Sequence, residues 1–343
     1  MAKTNSPPTM REIAELAGVS TATVSRVLSG TPTVQADHRR RVLEAVDRTG
    51  YRPNRIARNL RRQRAEMIGV VVPDIENPHF SEAVSLFEET AFSKGHRLLL
   101  CSTGETVAKQ RAYLQMLADE RALGVIIAPA DGRGSGLAHL FDLGIPVVVF
   151  DREVSDPRAD TVLCSNSDAT RKATEHLIWL GHERVAYVGG RLDLEIGAER
   201  LAGYTDAMRA ANLTPFAVDG GFRADAARRE TAQLLAVAAP PSALVVGNNL
   251  MTLGVLEAVR AAGISIPEHL ALVAVDDPPW AALVDPPLTV VAQPVQQIAE
   301  TAMALLFERL DGSRSESARV VLPLELRVRD SCGLKRTDLE RKS

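Results

Sequence analysis

The chain has 343 residues, 45% hydrophobic and 24% charged, a balance that suits two or three globular domains and excludes a wholly disordered or fibrous chain. Cys101, Cys164 and Cys332 lie far apart with no CxxC pair, which excludes a disulfide framework or a cysteine zinc site by spacing; no apolar segment follows Lys3, and no run approaches the ~18 apolar residues of a membrane span, so a cytoplasmic protein is expected. The net charge of −3 hides a division: residues 1–66 hold 13 Lys and Arg against 6 Asp and Glu, whereas the rest holds 27 against 37. A basic head on an acidic body predicts that the head meets a polyanion.

In chain order, Met10, Ile13, Ala14, Leu16 and Ala17, then Val24, Val27 and Leu28, form two helical stripes broken at Gly18-Val19-Ser20. Thr9 and Glu12 have the spacing of a capping box, Ser20 can cap the second helix, and Gly18 tolerates the positive φ of a short turn. A third segment, Ala36 to Thr49, supplies Val42, Leu43 and Val46 as the closing wall, and Tyr51-Arg52-Pro53 is expected to stop it. The second helix then presents Thr21, Ala22, Ser25 and Arg26 outward. An arginine fork fits the O6 and N7 acceptors of guanine, so Arg26 is the expected base reader, with Thr21 and Ala22 tuning neighbouring bases. Ser20, Thr23, Ser25 and Ser29 suit phosphate oxygens.

Beyond the head, Asn54 can cap a short segment whose apolar residues are Ile56, Ala57 and Leu60. So short a helix is unstable alone in water and should fold only against a partner. Two copies paired on DNA would let Leu60 wedge into the minor groove while Arg55 and Arg58 approach phosphates.

After Met67, short apolar runs alternate with amphipathic stretches: residues 68–72, 97–101, 124–127 and 146–150, then 185–188, 243–246 and 270–275. Such runs read as strands of parallel sheets buried on both faces, in two doubly wound lobes. Ligands bind such sheets beyond the carboxyl ends of the strands. Polar residues stand there: Asp74 to Phe80, Asp151-Arg152, Asn248-Asn249 and Asp276-Asp277. Together they can satisfy several hydroxyls, with Phe80 or Phe222 on the apolar face of a sugar ring; each stranded polar group would cost ~1–3 kcal/mol, which favours a hydroxyl-rich ligand.

The run from Thr9 to Leu28, with Tyr51-Arg52-Pro53-Asn54 and Ala57-Arg58-Asn59-Leu60, resembles the head and hinge of the lac-repressor (LacI/GalR) family. Gln35 departs from it, standing where many members have a capping Ser or Thr. The body is similar to that family and to the periplasmic sugar-binding proteins over nearly all of 67–330, through Asn77-Pro78-His79-Phe80, Asp151-Arg152, Arg200-Leu201-Ala202-Gly203-Tyr204, Asn248-Asn249, Asp276-Asp277 and Pro287-Leu288-Thr289. The resemblance implies a helix-turn-helix head with hinge helix over 1–66 and a two-lobed α/β body over 67–343. The lobes would be 67–164 with 295–322, and 165–294 with 323–343. It places the helix from Ser20 in the major groove and Leu60 in the minor groove, with Thr9, Asn54 and Ala57 completing the DNA-contact set. It assigns Asn77, His79, Phe80, Asp151, Arg152, Arg200, Phe222, Asn248, Asp276 and Gln293 to contacts with a sugar, an aldopentose among the candidates. His79 stands where an aromatic is frequent. Leu194 stands where the purine-repressor branch has arginine, which points away from a purine.

These readings converge on a regulator of transcription, a repressor of sugar uptake or catabolism genes, that binds a pseudo-palindromic duplex operator as a homodimer under control of a small effector. Neither a cofactor nor a metal is expected. The run Asp131-Gly132-Arg133-Gly134-Ser135-Gly136 lacks GxGxxG or GKS/GKT spacing, the seven histidines lack HExxH, and Ser135 lacks a GxSxG frame, so no enzyme is indicated. The alternatives are a sugar receptor without gene control and a sugar-modifying enzyme.

Overall fold

In the computed structural model, which describes residues 8–28, 34–51 and 67–333, the chain divides into two units, Met1–Ala65 and Glu66–Ser343. The first holds α1 (Met10–Ala17), α2 (Thr21–Leu28) and α3 (Ala36–Thr49). Both halves of the capping box form: Thr9 N donates to Glu12 Oε2 at 2.6 Å, and Glu12 N donates to Thr9 Oγ1 at 3.3 Å. Gly18, at φ 62°, lets the turn close with its amide on Glu15 O. Ile13, Ala14, Ala17, Val24, Val27, Val42, Ala45 and Tyr51 make the core.

Two side chains expected in that core are outside it. Leu16 is 54% exposed and Leu43 51%. Each is next in sequence to a buried residue, Ala17 and Val42, and one residue turns a helix by roughly 100°, enough to leave a narrow inner face. The expected stop for α3 also moves. Gly50, in the left-handed conformation at φ 63°, ends the helix, and Tyr51 turns inward. Gln35 precedes α3 without a side-chain cap.

The second unit contains two six-stranded sheets. The first comprises β1 (Met67–Val72), β2 (Arg97–Ser102), β3 (Gly124–Ile127), β4 (Val147–Phe150), β5 (Asp160–Cys164) and β11 (Arg319–Leu322), in the order β11-β5-β4-β3-β1-β2, all parallel. The second comprises β6 (Val185–Gly189), β7 (Phe216–Asp219), β8 (Ala243–Val246), β9 (Ala271–Val275), β10 (Thr289–Ala292) and β12 (Glu325–Arg327), in the order β12-β10-β9-β8-β6-β7, with only β12 antiparallel. The two orders match strand for strand. The chain passes between sheets after Cys164, after Ala292 and after Leu322.

Seven strands coincide with the apolar runs of the sequence. Of the other five, the buried β5 and β10 begin with polar Asp160-Thr161 and Thr289, and the edge strands β7, β11 and β12 are partly exposed.

Helices cover the sheets: α4 (Pro78–Ser93), α5 (Val107–Asp119), α6 (Leu137–Asp142), α7 (Asn166–Trp179), α8 (Glu195–Ala210), α9 (Ala224–Leu235), α10 (Asn249–Ala261) and α11 (Val295–Asp311). A side chain at Gly203 would meet Ser167 O at 2.0 Å, so glycine there lets α8 lie directly on α7. One core runs through both lobes, from Ile68 and Phe150 past α11 to Val185 and Val273. Asp160, buried at the start of β5, accepts from Arg309 Nε at 2.8 Å and Ala318 N at 2.7 Å, tying β5 to α11 and the approach to β11. The glycine run is a closed turn in which Asp131 accepts from Ser135 N and Oγ.

Candidate functional site

In the first unit the outer face of α2 carries exposed Thr21, Ala22 and Arg26, with Thr23 and Ser25 half-buried beside them. Val24 and Val27 anchor the opposite face. Ser20 Oγ accepts from Thr23 N at 3.1 Å and lies 2.9 Å from Thr23 Oγ1, so the cap fixes both hydroxyls at the start of the helix. No acidic residue lies within α2. The short side chains permit close approach to a duplex, and their one long cation is Arg26. Ser29, Asn54, Arg55, Ala57, Arg58 and Leu60 lie outside the described residues.

In the second unit all ten residues expected at the effector site line one cavity of about 390 Å³ between the lobes. Asn77 caps α4 by accepting from His79 N at 3.0 Å, and Asn248 caps α10 by accepting from Met251 N at 2.8 Å. Asp151 and Asp276 occupy equivalent stations at the ends of β4 and β9. Both take positive φ, 67° and 78°, and both donate their amides to the next strand, at Val162 O and Val291 O. Glu105 and Phe222 share the conformation at 59° and 60°. An L-residue held there costs roughly 1–2 kcal/mol, so four strained residues around one cavity mark where the fold gives up stability to aim side chains. Phe222 packs against Gly190, where a Cβ would stand 2.1 Å from its ring. Phe80 is buried and meets Phe150 edge to face.

The charged groups are dressed differently in the two lobes. Asp151 Oδ1 lies 3.5 Å from His79 Nε2, and its Oδ2 lies 3.3 Å from Arg152 Nε. Arg152 donates to both Glu105 oxygens, at 2.6 and 2.7 Å, and to Pro129 O at 3.0 Å. Asp276 instead accepts from neutral amides: Asn249 N at 3.1 Å, Asn249 Nδ2 at 2.9 Å and Gln293 Nε2 at 2.7 Å. Arg200 donates to Asn166 Oδ1 at 2.9 Å and Gly247 O at 2.6 Å. Burial works to lower the His79 imidazole, but Asp151, with help from Asp276, overcomes it, so His79 is held above its ordinary value. Burial likewise works to raise the Asp151 carboxyl, and His79, Arg152 and Arg200 overcome it in the opposite direction.

Several buried polar atoms here have no hydrogen-bond partner: both His79 ring nitrogens, Arg152 Nε, Arg200 Nη2 and Asn249 Oδ1. Buried groups of this kind are normally satisfied; those of His79, Arg152 and Arg200 line the 390 Å³ cavity, which fits a ligand rich in oxygens, whereas Asn249 lines the neighbouring one. Two contacts cross between lobes beside it. Asn249 Nδ2 donates to Asn77 Oδ1 at 2.8 Å, and Arg191 Nη1 lies 3.7 Å from Glu105 Oε2.

Glu105 and Arg191 were not among the expected residues. They follow β2 and β6, so attention to every strand end, rather than to the most polar ones, would have found them. Asp277, the neighbour of Asp276, points elsewhere: it pairs with Arg327 and Arg329 and lines a second cavity of about 510 Å³ that shares His79, Asp276 and Gln293 as a wall. Among the described residues no cluster suited to a metal ion occurs, and no helix is long and apolar enough to cross a membrane.

Comparison with known proteins gives the frame for both sites. Residues 9–54 match the bacterial regulatory proteins of the lacI family, and residues 174–332 match the periplasmic binding protein-like domain. The HTH-type transcriptional repressor PurR of Aliivibrio salmonicida is 32% identical over 90% of this chain and 94% of its own length. The chain belongs to the LacI family. This LacI-family protein is a DNA-binding transcriptional repressor with a helix-turn-helix head and a two-lobed body. Its fold is similar to the lac repressor dimer bound to operator and the anti-inducer ONPF, at a TM-score of 0.84 and 28% identity over 95% of this chain and 99% of the other. It is also similar to a LacI family transcriptional regulator from Enterococcus faecium with bound ribose, at a TM-score of 0.71 and 27% identity over 77% of this chain and 98% of the other.

Proposed function

We propose that this LacI-family repressor grips a pseudo-palindromic operator as a homodimer, and that a small neutral sugar of pentose size, seated between the lobes, changes that grip on genes of sugar uptake or catabolism. The observation that carries the reading is the convergence of ten residues from several strand ends and two helix caps on one cavity that holds unpartnered donors. A pentose fits a cavity of about 390 Å³, near the lower end of usual ligand pockets. The ribose held by the Enterococcus faecium relative supports the same class. Pairing is supported by the similarity to the dimeric lac repressor.

In this reading Arg26 reads a guanine, Thr21 and Ala22 adjust neighbouring bases, and Ser20, Thr23 and Ser25 hold phosphates. Thr9, Ser29, Asn54, Arg55, Ala57, Arg58 and Leu60 complete the DNA contacts, with Leu60 as the minor-groove wedge. The sugar shifts DNA affinity because two lobe arrangements bind it unequally. Selection of bound fragments from random duplex DNA, with and without a panel of pentoses, hexoses and purine bases, tests this. The expected result is a two-fold symmetric site whose recovery changes with a pentose. Equal, weak attachment to every duplex would overturn DNA reading, and a change produced only by a purine would overturn the sugar.

A further inference from the structure

The second cavity, of about 510 Å³, is larger than the one assigned to the sugar and is lined by Asn249, which the sugar cavity is not. Asn249 is 2% exposed, and its side chain joins the lobes: Nδ2 donates to Asn77 Oδ1 at 2.8 Å and to Asp276 Oδ2 at 2.9 Å. Asn77 Oδ1 in turn accepts from His79 N, so both partners of Nδ2 are oxygens and the Asn249 amide cannot be turned round. Its Oδ1 is therefore a buried acceptor, and among the described residues nothing donates to it.

Asp276 is buried in the same lining. Its three donors are neutral amides, and among the described residues it joins no ion pair. A buried carboxylate is normally met by a cation. The cationic side chains of this lining are committed elsewhere: Arg327 to Asp277 and Glu325, and His79 to Asp151, whose Oδ1 lies 3.5 Å from its Nε2. Glu82 of α4 and Glu300 of α11 stand in the lining with exposed, solvated side chains, Glu300 accepting only from Gln296 Nε2. They add attraction for a cation, but the buried Asn249 Oδ1 and Asp276 are what define a place for one.

We propose that this cavity is a second ligand site, which takes a small aliphatic ammonium ion: its N–H donates to Asn249 Oδ1, and its charge answers Asp276. A hydroxyl could satisfy the amide oxygen but would leave the carboxylate unmet, and an anion would be repelled. An ammonium held there bonds to the side chain that bridges the lobes, so it favours the lobe arrangement in which that bridge is made. The site goes beyond the sugar reading and does not depend on what fills the neighbouring cavity.

Calorimetric titration of the full-length protein with putrescine, and with 1,4-butanediol as its uncharged counterpart, tests this without any sugar. At about 0.15 M salt, where diffuse attraction to an acidic surface is screened, putrescine should bind saturably at one ion per chain and the diol should not bind. Asn249→Ala removes the acceptor and should weaken putrescine by about tenfold or more, with the thermal midpoint reporting whether the body stays folded. Glu82→Gln with Glu300→Gln leaves the buried groups in place and should weaken it severalfold, so the test holds even if Asn249→Ala does not fold. No binding of putrescine, equal binding of the diol, or binding that does not saturate and is indifferent to these variants would each overturn the site. Any of those failures leaves the sugar reading standing.

Discussion

The outer face of α2 and the interlobe cavity solve opposite problems with similar residues. On α2 the candidate reader Arg26 is exposed, and the helix is held by Val24 and Val27 on the far side. In the cavity Arg152, Arg200, Asp151 and Asp276 are themselves buried, 2–8% exposed, and their hydrogen bonds fix strand ends and helix starts. The first arrangement separates recognition from folding. The second makes each candidate recognition group a structural part as well. A duplex arrives with its own charge and water, so its reader can wait in solvent, whereas a small ligand is distinguished only where water is excluded.

Substitutions can break or sharpen this contrast. The largest effect is expected at Asp276→Ala, which strands three donors from Asn249 and Gln293 in a buried wall. Effector response should vanish and the body should lose about 3–5 kcal/mol in urea unfolding, while the α2 helix keeps its folded NMR signature. Retained stability would place Asp276 with the exposed readers rather than the buried set. Arg26→Ala is the converse: discrimination at one base pair should drop by ~1–3 kcal/mol, and the thermal midpoint should stay put. An unchanged binding-site preference would remove Arg26 as the reader.

Proton titration gives the next effect. Asp151 is held below its ordinary 3.8, so its stabilisation is full above that pH and is lost as pH falls through the folded value. His79 is held above its ordinary 6.5, so its contribution is full below that pH and is lost as pH rises through the folded value. Between those limits, unfolding of the body should be flat with respect to this pair. On either side the slope approaches about 1.4 kcal/mol per pH unit, and His79→Gln should erase the alkaline limb. Smallest, Gln35→Ser should supply the cap that α3 lacks and stabilise the head by about 0.5–1 kcal/mol in its melting transition. No gain would mean that the amides of that first turn are already satisfied.

By itself, the sequence determined what depends on neighbours along the chain. The Thr9/Glu12 box, the glycine turn at 18 and the all-apolar strands β1, β3 and β4 are local patterns, since caps, turns and continuous apolar runs act over a few residues. Resemblance added the ten cavity residues, because their motifs sit at strand ends and helix caps. Tertiary packing decided the rest. It turned Leu16 and Leu43 outward and Tyr51 inward, formed the edge strands that lack their own apolar signal, and brought Glu105 and Arg191 from opposite lobes to 3.7 Å. It also parted Asp276 from Asp277 and paired His79 with Asp151. Burial and charge pairing across long stretches of chain are properties of the packed molecule, and no window of sequence contains both partners.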